Sequence, residues 1–166
     1  MERQPPPAEF GNSRLWLIPL LALFAWHGWL TLSLFGPDPV RGLLGDEPVV
    51  SGLHPLHLYH GYLGARSLYE RGGLCCYDPA FQAGYPKTPV FDGGSRPAEL
   101  FLILGGGTYR PAAYKVGLAA CCLLVPLLLT AAARGAGLSR SAALLATALG
   151  LLVWWGGPAR DAVEAG

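Results

Sequence analysis

The stretch that decides the fold is residues 15–35, which read LWLIPLLALFAWHGWLTLSLF. It contains no charged residue, and a helix of this length covers the roughly 30 Å hydrocarbon core of a bilayer. Pro19 and Gly28 are compatible with it, because membrane helices tolerate both residue types. We therefore predict a first transmembrane helix at residues 15–35. The proline-rich residues 1–14 before it are expected to form a disordered cytoplasmic tail.

Two further apolar runs lie near the other end of the chain, at residues 113–133 and 141–157. Trp154 and Trp155 close the last run as an interfacial aromatic pair does. Only 14% of residues are charged, against about 25% in ordinary soluble domains. These patterns predict an all-α polytopic membrane protein with three transmembrane helices. A large outer loop, residues 36–112, would separate the first helix from the second.

The orientation follows from the arginines of the short loop at residues 134–140, since positively charged short loops stay in the cytoplasm. The N-terminus is then cytoplasmic, and the long loop and residues 158–166 lie outside a cell (inner) membrane. A signal peptide is the alternative for the first run. That run is longer than the 7–15 apolar residues typical of such peptides, and no small-residue cleavage site follows it. The net charge of +1 argues against nucleic acid as a partner.

The outer loop divides by composition. Residues 36–48 are rich in proline, glycine and acids and are expected to be irregular. Apolar residues at helical spacing predict an amphipathic helix near 57–71, ended by Gly72 and Gly73. The proline-rich stretch that follows predicts a coil without regular structure. A short surface helix is expected near 97–104 because a proline and an acid open it.

Asp46 and Glu47 are adjacent carboxylates just after the first apolar run. At the lipid–water boundary a carboxylate can act as a general base or bind a divalent cation. The alternative is that both are solvated residues of a turn.

Four histidines could be functional. His54, His57 and His60 share one sector of a helix, where they could bind a metal ion or line a polar face near the headgroups. The i, i+4 pairing of helical zinc sites is missing, and Pro55 should interrupt a helix that includes His54. His27 is interpreted as an interhelical hydrogen-bonding residue. The four cysteines form two vicinal pairs, which indicate packing rather than a disulfide framework.

Aromatic residues, prolines and acids alternate from Tyr77 to Asp92. This mixture is typical of loops that contact carbohydrate, where sugar faces stack on rings and hydroxyls bond carboxylates. It is equally typical of a structured loop that packs on its neighbours.

The long loop contains, in this order, the acidic pair, the helix HLYHGYLGARSLYERGGL and the coil YDPAFQAGYPKTPVFDGGSRPAELFLIL. This order of segments resembles the first outer loop of GT-C-type membrane glycosyltransferases. The pattern is most similar to bacterial and archaeal 6-pyruvoyl-tetrahydropterin-synthase-related membrane proteins. The resemblance covers roughly residues 15–104, and its most specific elements are Asp46, His57-Leu58-Tyr59 and Gly84-Tyr85-Pro86.

The resemblance implies transfer of a sugar from a polyprenyl-phosphate donor to an acceptor at the outer membrane face. The partners would be membrane lipid and a lipid-linked sugar, and the cofactor, if any, a divalent cation. Asp46 and Glu47 are the implied catalytic residues. The implied substrate-binding residues are His57, Tyr59, Arg66, Tyr85, Asp92 and Arg96.

Members of that family have eight or more membrane helices, so this chain is expected to be an N-terminal fragment of a larger enzyme and inactive alone. The competing class is a non-catalytic membrane subunit or binding module. Its small-residue stretches, such as Ala131 to Ala133, would associate with partner helices. A piece of a transporter is a third possibility, for which only Pro126 and His27 speak.

Overall fold

The computed structural model describes residues 15–81, 84–88, 93–157 and 161. This part of the chain is mostly helical, as predicted. The elements in chain order are α1 (Leu17–Ser33), α2 (Pro39–Leu44), α3 (His54–Arg71), β1 (Cys76–Asp78), β2 (Tyr85–Lys87), α4 (Arg96–Leu104), α5 (Pro111–Gly135) and α6 (Arg140–Gly156). A 3-10 turn, Gly93–Ser95, leads into α4. The predicted tail at 1–14, nearly all of the one at 158–166, and Asp92 lie outside the described residues.

Helix α5 is the one helix of the described ranges that is both long and apolar enough to cross a membrane, with 25 residues and a mean hydropathy of 2.4 in its best window. Helices α1 and α6 are also apolar, but each has 17 residues. All three present large apolar side chains outwards, such as Leu21, Leu128 and Val153. These three helices correspond to the three predicted membrane segments, and they pack against one another.

Pro126 lies inside α5 and removes one hydrogen bond of this helix, which a side chain of α1 replaces. A proline has no N–H, so the carbonyl oxygen of Cys122, four residues earlier, loses its helical donor. His27 Nε2 lies 2.8 Å from that oxygen, and Trp155 Nε1 donates to His27 Nδ1 over 2.9 Å. Because Nδ1 accepts, Nε2 carries the proton that bonds the carbonyl oxygen. The prediction of an interhelical hydrogen-bonding His27 is confirmed, and this contact joins α1, α5 and α6.

A second polar contact lies between α5 and α6. The hydroxyl oxygens of Thr130 and Thr147 are 2.9 Å apart, and each hydroxyl also contacts a carbonyl of its own helix. Gly150 of α6 makes close packing possible there, because a Cβ at this position would lie 2.8 Å from Leu129 Cδ1.

The structure differs from the sequence-based expectation at three places. Residues 39–44, expected to be irregular, form α2, because Asp38 caps the helix through a bond from Arg41 N and Pro39 is in its first turn. Helix α3 begins at His54 rather than near residue 57, since Pro55 occupies the first turn, where a missing N–H costs nothing.

The third difference is the stretch expected to be a coil, which contains an antiparallel ribbon of β1 and β2 that pairs Tyr77 with Pro86. Proline is tolerated on edge strands, and both strands of a two-stranded ribbon are edges. The expected helix end at Gly72 is confirmed, with a left-handed φ of 72°.

Candidate functional site

Helices α3 and α4 and the β1–β2 ribbon pack together into a unit that we call the loop module. Its core contains the buried side chains of Leu58, Ala65 and Leu102, together with Tyr114 from α5. The two helices approach closely at Gly61, where a Cβ would lie 2.8 Å from that of Ala98. The loop module therefore forms a packed body at the beginning of α5.

A buried ion cluster, Lys87–Glu99–Arg96, joins the β1–β2 ribbon to α4 within the loop module. Lys87 of β2 is 1% exposed and Glu99 of α4 is 2% exposed, with Lys87 Nζ 3.5 Å from Glu99 Oε1. Arg96 Nη1 pairs with the other carboxylate oxygen, Oε2. A Cβ at Gly64 of α3 would overlap Glu99 Oε1, so this glycine provides the space for the cluster. Arg96, predicted to bind substrate, has one nitrogen engaged here.

Sequence reasoning missed Lys87 and Glu99 as a pair. One signal was available, because Gly61 and Gly64 are three residues apart and lie on the same face of a helix. Two small residues at that spacing indicate that another element approaches this face. They do not identify which side chains come into the space.

Tyr59 holds the ribbon to α3 through Asp78. Its hydroxyl donates to Asp78 Oδ2, and Ala80 N donates to Oδ1 over 3.0 Å. The bond to Asp78, followed by burial, raises the pKa of Tyr59 to about 12. The Tyr59 hydroxyl, followed by Ala80 N, lowers the pKa of the Asp78 carboxyl. At neutral pH the pair is thus a neutral donor and an ionised acceptor. Tyr59, predicted to bind substrate, makes this contact within the loop module.

The three histidines of α3 contact three different neighbours. His54 Nδ1 is 2.6 Å from the hydroxyl oxygen of Tyr114, and His57 Nδ1 is 3.1 Å from Ser95 Oγ. The ring of His60 stacks on Tyr85 with a centroid distance of 4.8 Å. Within the described ranges, no three histidine, cysteine or acidic residues are grouped to hold a metal ion. Of the two alternatives for this series, the shared metal ion receives no geometric support.

Asp46 and Glu47 are both exposed, yet their segment is fixed to the beginning of α5. Lys115 of α5 is 4% exposed, and its Nζ donates to the carbonyl oxygens of Gly42 and Glu47, the latter over 3.0 Å. The lysine satisfies carbonyls at the end of α2 and in the following turn. The backbone of the acidic pair is thereby held in place, whereas the two carboxylates face solvent.

The predicted site residues fall into separate groups. His57 lies one turn from the start of α3, and Tyr59 and Tyr85 pack within the loop module. Arg66 lies on the exposed side of α3, where its Nε is 2.7 Å from Glu70 Oε1. Because α3 rises 1.5 Å per residue, Arg66 is about 14 Å from His57 along the helix axis. One compact site formed by all these residues is therefore not what the structure shows.

Comparison of the chain with family models, with curated proteins and with solved structures gives no match.

Proposed function

We propose that the chain is the N-terminal part of an integral-membrane glycosyltransferase of the GT-C type. It would move a sugar from a polyprenyl-phosphate donor to an acceptor at the outer face of the membrane. The observation that carries this proposal is the anchoring of the exposed acidic pair, Asp46 and Glu47, to the start of α5 by the buried Lys115. This anchoring would keep ionisable carboxylates at the lipid–water boundary, where a lipid-linked donor has its phosphate and sugar.

In this proposal α1, α5 and α6 cross the membrane, with the N-terminus in the cytoplasm and the loop module outside. Helices of 17 residues are at the short end of the spanning range, and the apolar residues 15–16 and 34–35 extend α1. The contacts of His27 and of the threonine pair support the proposal, since polar groups inside a bilayer need partners within the protein.

The chemistry assigned to Asp46 is that of a general base. It takes the proton of the acceptor hydroxyl while that oxygen attacks the anomeric carbon, and the bond from this carbon to the phosphate oxygen breaks. Polyprenyl phosphate leaves with the bonding electrons. Glu47 is the neighbouring acid, and the pair is also of the ligand type that Mg²⁺ takes, so cation binding is the alternative role.

We expect Asp46→Asn to lower sugar transfer by about 100-fold or more, because an asparagine side chain cannot accept the proton. The assay uses membranes that contain the whole protein, including any part of it beyond this chain, and a radiolabelled polyprenyl-phosphate hexose as the donor. Asp38→Asn is the matched control, since Asp38 is also exposed and asparagine caps a helix as well as aspartate does.

Unchanged transfer by Asp46→Asn would remove this residue from the mechanism. A chelator distinguishes the two roles: activity that is lost on chelation and restored by Mg²⁺ or Mn²⁺ indicates that transfer requires a cation, and weaker restoration in Asp46→Asn would assign its binding to the acidic pair. Activity that survives chelation leaves the role of general base.

The second candidate is a non-catalytic membrane subunit. An apolar groove between α1 and α6 favours this candidate. Its lining includes Pro19, Ala22, Leu145 and Ala148. The small residues of the groove would allow close packing of a helix from a partner or from the rest of the same protein. Normal assembly with a partner, without sugar transfer by the wild-type protein, would favour this candidate.

A further inference from the structure

Helix α4 presents an apolar stripe on its outward side, formed by Pro97, Leu100 and Leu104. All three are exposed, the two leucines by 53% and 79%. Their spacing of three and four residues places them on one side of the helix. We propose that this α4 stripe lies in the outer leaflet of the bilayer and contacts lipid acyl chains. The inference rests on the proposed function only through the crossing of the membrane by α5, and it requires no transfer reaction.

Helix α4 packs directly on the first turns of α5. A Cβ at Gly117 of α5 would overlap the ring of Phe101, and a Cβ at Gly105 would lie 2.9 Å from that of Ala113. Glycine at these two positions allows the helices to approach so closely. The position of α4 along α5 is thereby fixed at residues 113–117.

This section of α5 is where the helix enters the hydrocarbon in the proposed topology. The charge-free run of α5, residues 116–133, follows Lys115 and ends before Arg134. Its 18 residues cover about 27 Å at 1.5 Å per residue, slightly less than the roughly 30 Å of a hydrocarbon core. The whole run is therefore needed to cross, and Gly117 is at the outer hydrocarbon boundary. Phe101, which packs on Gly117, is at the same depth.

The α4 stripe is next to Phe101 and turned away from α3. At about 100° per residue, its three members lie about 40–100° to one side of Phe101 around the helix. The buried Ala98 and Leu102 lie about 60–100° to the other side, in the core of the loop module. One flank of α4 is thus covered by α3, and the other is open beside the membrane segment of α5.

The residue types of the stripe favour lipid as the material that covers it. The two charged residues of α4, Arg96 and Glu99, pair with each other in the ion cluster, and Glu99 is 2% exposed. The stripe itself has no charge that hydrocarbon would penalise. It also lacks the small residues that let a second membrane helix approach closely. Tyr109, 49% exposed just before α5, is of a type enriched at the membrane–water interface.

The test measures the surroundings of spin labels on the stripe, with the full chain in phosphatidylcholine vesicles. The four native cysteines are replaced by alanine, and Leu100→Cys and Leu104→Cys each carry one nitroxide. Its collisions with oxygen, which concentrates in hydrocarbon, are compared with its collisions with a polar nickel complex, which stays in water. We expect the oxygen-to-nickel ratio at both positions to exceed that of Glu70→Cys by about fivefold or more.

Glu70→Cys is the matched control in water, because Glu70 is half exposed on the charged side of α3. Leu128→Cys, which is 64% exposed within α5, tests the proposed membrane crossing separately. A label in water at position 128 would overturn the crossing and the lipid contact together. A label in lipid at position 128, with labels at 100 and 104 that behave like position 70, would overturn the lipid contact alone. Labels at 100 and 104 that meet neither agent would also overturn it, in favour of a protein partner.

A second measurement keeps the native cysteines and so does not depend on the folding of the cysteine-free protein. Benzoylphenylalanine is introduced at position 104 of the otherwise unchanged chain, in the same vesicles. We expect illumination to crosslink it to phospholipid, whereas the same group at position 70 should give no lipid adduct. Absence of a phospholipid adduct at position 104 would contradict the proposal.

Discussion

Glu99→Leu is expected to lower the free energy of unfolding by about 3–5 kcal/mol. The substitution leaves the Lys87 ammonium without its carboxylate at a place where the lysine is 1% exposed. Arg96, the other partner of Glu99, has 28% of its side chain exposed and can recover part of its hydration. The cost therefore comes mainly from Lys87. It is measured by unfolding the protein with increasing amounts of a denaturing detergent in mixed micelles.

Glu70→Leu is the matched control for this prediction. Glu70 also pairs with an arginine of its own helix, but both side chains are about half exposed, so the loss should stay below about 1 kcal/mol. The double variant Lys87→Met with Glu99→Leu should recover most of the stability, because it removes the buried charges together. A loss in Glu99→Leu no larger than in Glu70→Leu would show that the ion cluster is not buried as described.

His27→Leu is expected to cost about 1–3 kcal/mol, since it leaves the Cys122 carbonyl oxygen and the Trp155 N–H without partners. In the background of Pro126→Ala the same substitution should cost about 1 kcal/mol less, because the introduced alanine supplies the N–H that the carbonyl lacks. The four proteins of this cycle are compared by the same detergent unfolding measurement.

An equal cost of His27→Leu in the two backgrounds would contradict the account of Pro126. Tyr69→Phe serves as a control for the cycle. It removes the bond from the Tyr69 hydroxyl to the Ile103 carbonyl oxygen in the loop module, which shares no partner with His27, so its cost should be independent of the residue at position 126.

The helices were largely predictable from the sequence, because hydrophobic length and helical periodicity are local signals. The end of α3 at Gly72 and the start of α4 beside Pro97 follow from capping chemistry. Helix α2 was not predicted, because its segment is rich in proline and glycine, although Asp38 is a capping residue followed by a proline at the first helical position. The β1–β2 ribbon was not predicted, because its stretch of sequence contains four prolines and each strand has only three residues. Strands this short give no recognisable alternating pattern.

The candidate site was less predictable, because its contacts join residues that are distant in sequence. The exposed position of Asp46 and Glu47 was expected, but Lys115, which fixes their backbone, lies in α5 and gives no signal near them. The histidines of α3 share one face, as the sequence indicated. Their partners come from three different elements, and a pattern within one helix cannot reveal which partner each of them meets.

In the proposed topology the loop module faces the outside of the membrane, where Asp46 can meet a lipid-linked sugar. Labelling of Cys75 tests it most directly, because this residue is exposed in the loop module and its thiol is free. A membrane-impermeant maleimide added to intact cells, with the outer envelope made permeable where there is one, should label the wild-type protein. The variant Cys75→Ser with Cys76→Ser should not be labelled. Labelling that appears only after the membrane that holds the protein is opened would place the loop module in the cytoplasm and contradict the proposal.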